Sequence, residues 1–68
     1  MSTVRIVHND LEESMEEIAR DIFGSSVRLT TEEGSHGEKI LYVVGENVTP
    51  HAIADLERMD FVLCAEFI

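Results

Sequence analysis

An α+β domain with its elements in the order β-α-β-β-α-β is what the sequence predicts, and three patterns predict it. Residues 3–8, 27–31, 38–44 and 61–67 are rich in β-branched, aliphatic and aromatic side chains and are bounded by Gly, Asn, Asp or Ser, as strands are. Between the first two, Leu11, Met15, Ile18, Ala19, Ile22 and Phe23 recur at the 3.6-residue spacing of an amphipathic helix. Before the last, Thr49-Pro50 is the N-cap and first-turn pair that opens a helix.

In chain order, the first strand sets Val4 and Ile6 on one face and Arg5 and Val7 on the other. Asn9 or Asp10 is the expected cap of the first helix, and Gly24 its terminator. Residues 27–31 alternate as the second strand, Glu32-Glu33-Gly34-Ser35-His36-Gly37 supplies a hairpin loop, and residues 38–44 return antiparallel as the third. After Gly45-Glu46-Asn47 the second helix aligns Ala52, Ile53, Leu56 and Met59, Asp60 ends it, and residues 61–67 close the chain as the fourth strand.

In one domain spanning residues 1–68 this order is the split βαβ, ferredoxin-like arrangement, a four-stranded antiparallel sheet with two helices on one face. If the helices cover Val4, Ile6, Val27, Leu29, Phe61, Leu63 and Phe67, the opposite face shows Arg5, Val7, Arg28, Thr30, Leu41, Val43, Val62, Cys64, Glu66 and Ile68. Such an apolar face is expected to be an interface, for a homodimer or a different protein.

Fourteen acidic side chains against five basic ones give a formal net charge of -9 in 68 residues. Direct nucleic-acid binding is excluded, because it requires Lys and Arg to displace the counterions condensed on phosphate. The expected partner is basic. The hydrophobic fraction of 44% is too high for a disordered acidic tail, and a chain this short buries only about 60% of its unfolded surface. The longest apolar runs, at residues 40–44 and 61–65, fall far short of the roughly 20 residues that span a bilayer, and the N-terminus carries no leader pattern. A soluble, cytoplasmic protein without membrane contact is expected.

The charge is not spread evenly. Asp10, Glu12, Glu13, Glu16, Glu17 and Asp21 surround the apolar stripe of the first helix, with Arg20 its one basic residue, and Glu32, Glu33 and Glu38 follow on the hairpin. Glu12 with Glu16, and Glu13 with Glu17, stand at i, i+4, which sets carboxylates roughly 6 Å apart along a helix axis, near the spacing of phosphates along a strand. Glu12, Glu13, Glu16, Glu17, Asp21, Glu32 and Glu33 are therefore the candidate partner-binding residues. A solvated face that keeps a small protein soluble, or adaptation to a salty cytoplasm, is the competing explanation.

No catalytic constellation is present. Cys64 is the only cysteine, so neither an internal disulfide nor a CxxC site can form. His8, His36 and His51 fall in a strand end, a loop and a helix start with no convergent spacing, and no serine sits in a nucleophile motif. An exposed row of glutamates lacks the environment that drives two carboxyl pKa values apart. Neither enzyme activity, metal nor cofactor is expected. Asn47-Val48-Thr49 matches a glycosylation acceptor, but Thr49 is better explained as a helix cap.

Three ferredoxin-like families can be set beside the chain. Metal-transporting domains carry CxxC where this chain has His8-Asn9-Asp10-Leu11, and RNA-recognition domains carry aromatic and basic residues where it has Val4-Arg5-Ile6-Val7 and Ile40-Leu41-Tyr42-Val43. Small-molecule-sensing ACT domains share topology and length, but Asn9-Asp10 lacks the glycine usual in their ligand loop. In its length, acidity and lack of catalytic residues, the chain resembles the small phage-encoded anti-CRISPR proteins, some of which mimic DNA. That resemblance implies a non-enzymatic inhibitor whose acids occupy the basic DNA groove of a CRISPR effector, with a Cascade-type subunit as the partner. A stand-alone ACT-like ligand-binding domain, or an adaptor using the open sheet face, are the alternatives.

Overall fold

Residues 2–9, 14–46 and 48–68 are described by the structure, a computed structural model. Six elements follow one another: β1 (Ser2–His8), α1 (Met15–Phe23), β2 (Arg28–Glu33), β3 (Lys39–Gly45), α2 (Pro50–Glu57) and β4 (Val62–Phe67). The strands form one sheet in the order β2-β3-β1-β4, with every neighbouring pair antiparallel, and side chains of both helices join a single core. This is the ferredoxin-like α+β fold. Neither described helix is long and apolar enough to cross a membrane.

The ladder decides which residues meet. Val4 lies opposite Val43 and Ile6 opposite Leu41, so β1 and β3 present four aliphatic side chains to the helices, all fully buried. Met15 and Leu56 complete the set of largest fully buried side chains, one from each helix. Burying a side chain of that size contributes about 1.5–3 kcal/mol.

Here the structure corrects the expected faces. Leu41, Val43 and Val62 belong to the core, while Leu63, expected inside, is exposed; Phe67 lies opposite Val4 on the expected side but stays exposed on the outer strand. Residues 40–44 are apolar at every position, so alternation carries no information about phase, and a one-residue slip exchanges the faces. On β4 the cause is an irregularity. The register shifts between Val7, opposite Cys64, and His8, opposite Val62, so one extra β4 residue is accommodated and Val62 and Ala65 both reach the core. The open face carries Val7, Ile40, Tyr42 and Val44 on the central strands, flanked by Arg5, Arg28, Thr30, Cys64 and Glu66.

Both helix ends expected at a glycine or proline are found. Thr49 caps α2, its Oγ1 accepting a hydrogen bond from the Ala52 N–H at 3.3 Å with Pro50 in the first turn. Gly24 ends α1 at φ 96° and ψ 162°, a region open in practice only to glycine, and its N–H donates to the Arg20 carbonyl. Ser14 occupies the extended N-cap position of the described helix, though its side chain makes no capping bond. Serine is a favoured residue there, and it stands three residues before Glu17. Asp10, expected as a cap, and Leu11, expected in the apolar stripe, lie outside the described residues.

Candidate acidic docking site

Of the seven candidate residues, Glu16, Glu17, Asp21, Glu32 and Glu33 are described and all five are exposed; Glu12 and Glu13 lie outside the described residues. The expected helical pairs Glu12–Glu16 and Glu13–Glu17 each include a residue outside the described ones. One i, i+4 carboxylate pair remains on the described helix, Glu17 with Asp21, while Glu16 stands at i, i+4 from Arg20, the favourable orientation for opposite charges. Glu16 and Glu17 also lie in the first turn, where the helix dipole favours anions.

Glu32 and Glu33 are strand residues, not loop residues as expected. β2 runs to Glu33 because Glu33 lies opposite Lys39, an opposite-charge cross-strand pair that extends the ladder two residues beyond the apolar alternation. Gly34 N–H then bonds the Glu38 carbonyl at 2.7 Å to close the turn. Glu38, grouped with these acids from the sequence, is taken up by that turn: its Oε2 accepts from the His36 N–H at 3.1 Å, and its carboxyl lies over Gly34, where a Cβ would collide with it.

The two acidic segments are joined at one contact. Thr31 Oγ1 donates to Glu16 Oε1 at 3.4 Å, tying the first turn of α1 to the outer strand β2. Thr31 is opposite Leu41 and so faces the helix layer; Glu33, two residues on and about 7 Å along the strand, shares that side, while Glu32 faces the open side. Glu16 and Glu33 thus flank the helix side of the β2 edge and Glu32 its other side, with Glu17 and Asp21 farther along α1. The sequence signal for this junction is Thr31 itself, a polar residue at a position of β2 whose phase is set by Leu29 toward the core.

Two carboxylates elsewhere are matched by bases. Glu66 pairs with Arg5 across β4 and β1, and Asp55 stands 3.7 Å from Arg58 on α2. His8 is buried at the end of β1, His36 lies in the hairpin turn beside Ser35, and His51 is exposed in α2. Among the described residues no three His, Cys, Asp or Glu side chains group so as to hold a metal ion. No family model, curated protein or solved structure matches the chain.

Proposed function

We propose that this chain is a non-enzymatic binding protein that sets the acidic α1–β2 edge into a basic nucleic-acid-binding groove of another protein and so keeps the nucleic acid out. The Glu16–Thr31 contact supports this reading most directly, because it gathers acids from two sequence-remote segments along one rim of the domain. A groove that holds phosphates offers Lys and Arg along a track, and a row of carboxylates on a rigid helix and strand is complementary to it. Complementarity of this kind raises the association rate and sets specificity, and it weakens as salt screens it. By its resemblance to acidic anti-CRISPR proteins, a Cascade-type CRISPR effector is the first partner to try.

The test is competition. Labelled duplex bound to the effector should be displaced by the parent protein, less effectively at high salt, and the quadruple variant Glu16→Gln, Glu17→Gln, Glu32→Gln, Glu33→Gln should need about tenfold more protein or beyond, from several charge pairs lost at once. Equal displacement by parent and variant sinks the mimicry reading, as does a parent that leaves the duplex bound. A complex that forms on the effector but survives high salt would instead point to an apolar contact and the adaptor role.

A further inference from the structure

The face of the sheet turned away from the helices is electrically unlike the rest of the chain. Its middle row runs Thr30, Tyr42, Arg5 and Glu66 across the four strands. On one side of that row Arg28 lies opposite Val44, and on the other Glu32 lies opposite Ile40, itself opposite Val7. Two bases and two acids of the strands therefore cancel on this face, in a chain of net charge -9. Arg5 and Glu66 are paired with each other. Arg28 and Glu32 are exposed toward opposite ends of β2, and neither has an ion-pair partner among the described residues.

The apolar strip between those two charges is only partly covered. Val7, Ile40, Tyr42 and Val44 are half-buried on the side away from the helices, so apolar surface stays in water when the chain is alone. Four strands about 4.8 Å apart and three rows about 7 Å apart make a patch of roughly 400 Å². A standard interface takes about 800 Å² from each partner, so whatever covers this face is held weakly.

We propose that this face packs against the same face of a second copy of the chain, about a two-fold axis lying along the middle row, as two aligned sheets. Reciprocity of charge selects the occupant. The axis exchanges the two outer rows, so Arg28 of each copy meets Glu32 of the other, Val44 meets Ile40, and the two Tyr42 rings meet on the axis. Both unmatched charges are thereby matched in each copy, and the Arg5–Glu66 pairs meet as neutral pairs. An axis parallel to the strands would lay β2 over β4 and set Glu32 near Cys64, leaving Arg28 and Glu32 unmatched. A cationic partner gains nothing from a face whose charges cancel. The acids of α1 and α2 do not forbid the contact, because they lie behind the sheets. Two sheets packed about 10 Å apart, with the helices outside them, hold those of one copy beyond the roughly 8 Å screening length of physiological salt from those of the other. Glu16 and Glu33, on the helix side, remain outside the contact, so the groove docking proposed above does not compete for them.

Sedimentation of the whole chain between about 1 µM and about 1 mM should show a shift from 7.7 kDa toward twice that mass, with a dissociation constant on the order of 100 µM for so small a patch. Arg28→Glu and Glu32→Arg each set like charges against each other at two places and should raise that constant about tenfold, while the double variant exchanges the two ends and should restore it. Tyr42, the only tyrosine in a chain without tryptophan, gives a second measurement on the parent that does not depend on a variant's folding: its fluorescence should change over the same concentration range. A monomer throughout overturns the proposal. So does a dimer that both single variants leave intact, a double variant that dimerises no better than the single ones, or a dimer that forms with the fluorescence of Tyr42 unchanged.

Discussion

Replacing Leu41 by Ala removes a side chain with no exposure, held between Ile6 on β1 and Thr31 on β2 and roofed by the helices. Neighbouring strands fix its surroundings, so the space it leaves cannot close fully, and such deletions cost about 2–5 kcal/mol. Against the roughly 3–10 kcal/mol that 68 residues supply at typical stability per residue, that change should leave the chain marginal or unfolded. Tyr42→Ala, one position along, takes away a larger side chain from the open face, where it is half-buried between Arg5 and Thr30. Its expected cost is about 1 kcal/mol, that of a partly exposed cross-strand contact. Urea unfolding followed by far-UV circular dichroism measures both, with a midpoint shift for Leu41→Ala at least twice that for Tyr42→Ala. If Tyr42→Ala proves the more damaging, β3 has the opposite phase, Leu41 lies on the open face, and the core described above is wrong.

Two smaller substitutions test the helix ends. Thr49→Ala removes the acceptor of the Ala52 N–H and should destabilise the protein by about 1 kcal/mol in the same unfolding measurement, with Thr49→Ser largely restoring it. Gly24→Ala meets no steric obstacle around its Cβ, yet at φ 96° it should cost about 1–3 kcal/mol of backbone strain; an unchanged midpoint would show that the α1 terminus does not need that conformation.

The order of elements was legible because each carries a local signal. The stripe from Met15 to Phe23, Gly24 and Thr49-Pro50 state their own conformations. What was not legible depends on pairing. Nothing within Ile40, Leu41, Tyr42, Val43 and Val44 says which of them face the helices; only Ile6 opposite Leu41 and Val4 opposite Val43 do. The irregularity beside Val7 and His8 is likewise a property of two strands, and it moves Val62 inward and Leu63 outward against simple alternation. For the acidic site, composition identified the acids and their two segments, but the bond between Thr31 and Glu16 and the loss of Glu38 to the turn required the fold.

A small open sheet must keep both of its outer strands from indiscriminate pairing, and here a single arginine decides how differently the two are treated. On β2 the carboxylates of Glu32 and Glu33 repel a like strand, and under the function proposed above the same charges are what a basic groove recognises. On β4, Glu66 would make the second edge acidic as well if its charge stood alone. Arg5, reaching across from β1, pairs with it on the open face. Both side chains remain well exposed, so the pair adds little to stability; its larger effect is to neutralise the one charge that β4 itself carries. Acidity is nonetheless not confined to the β2 side, because α2 packs against β4 and brings exposed Asp55 and Glu57, with Asp60 just before the strand, to that side of the sheet.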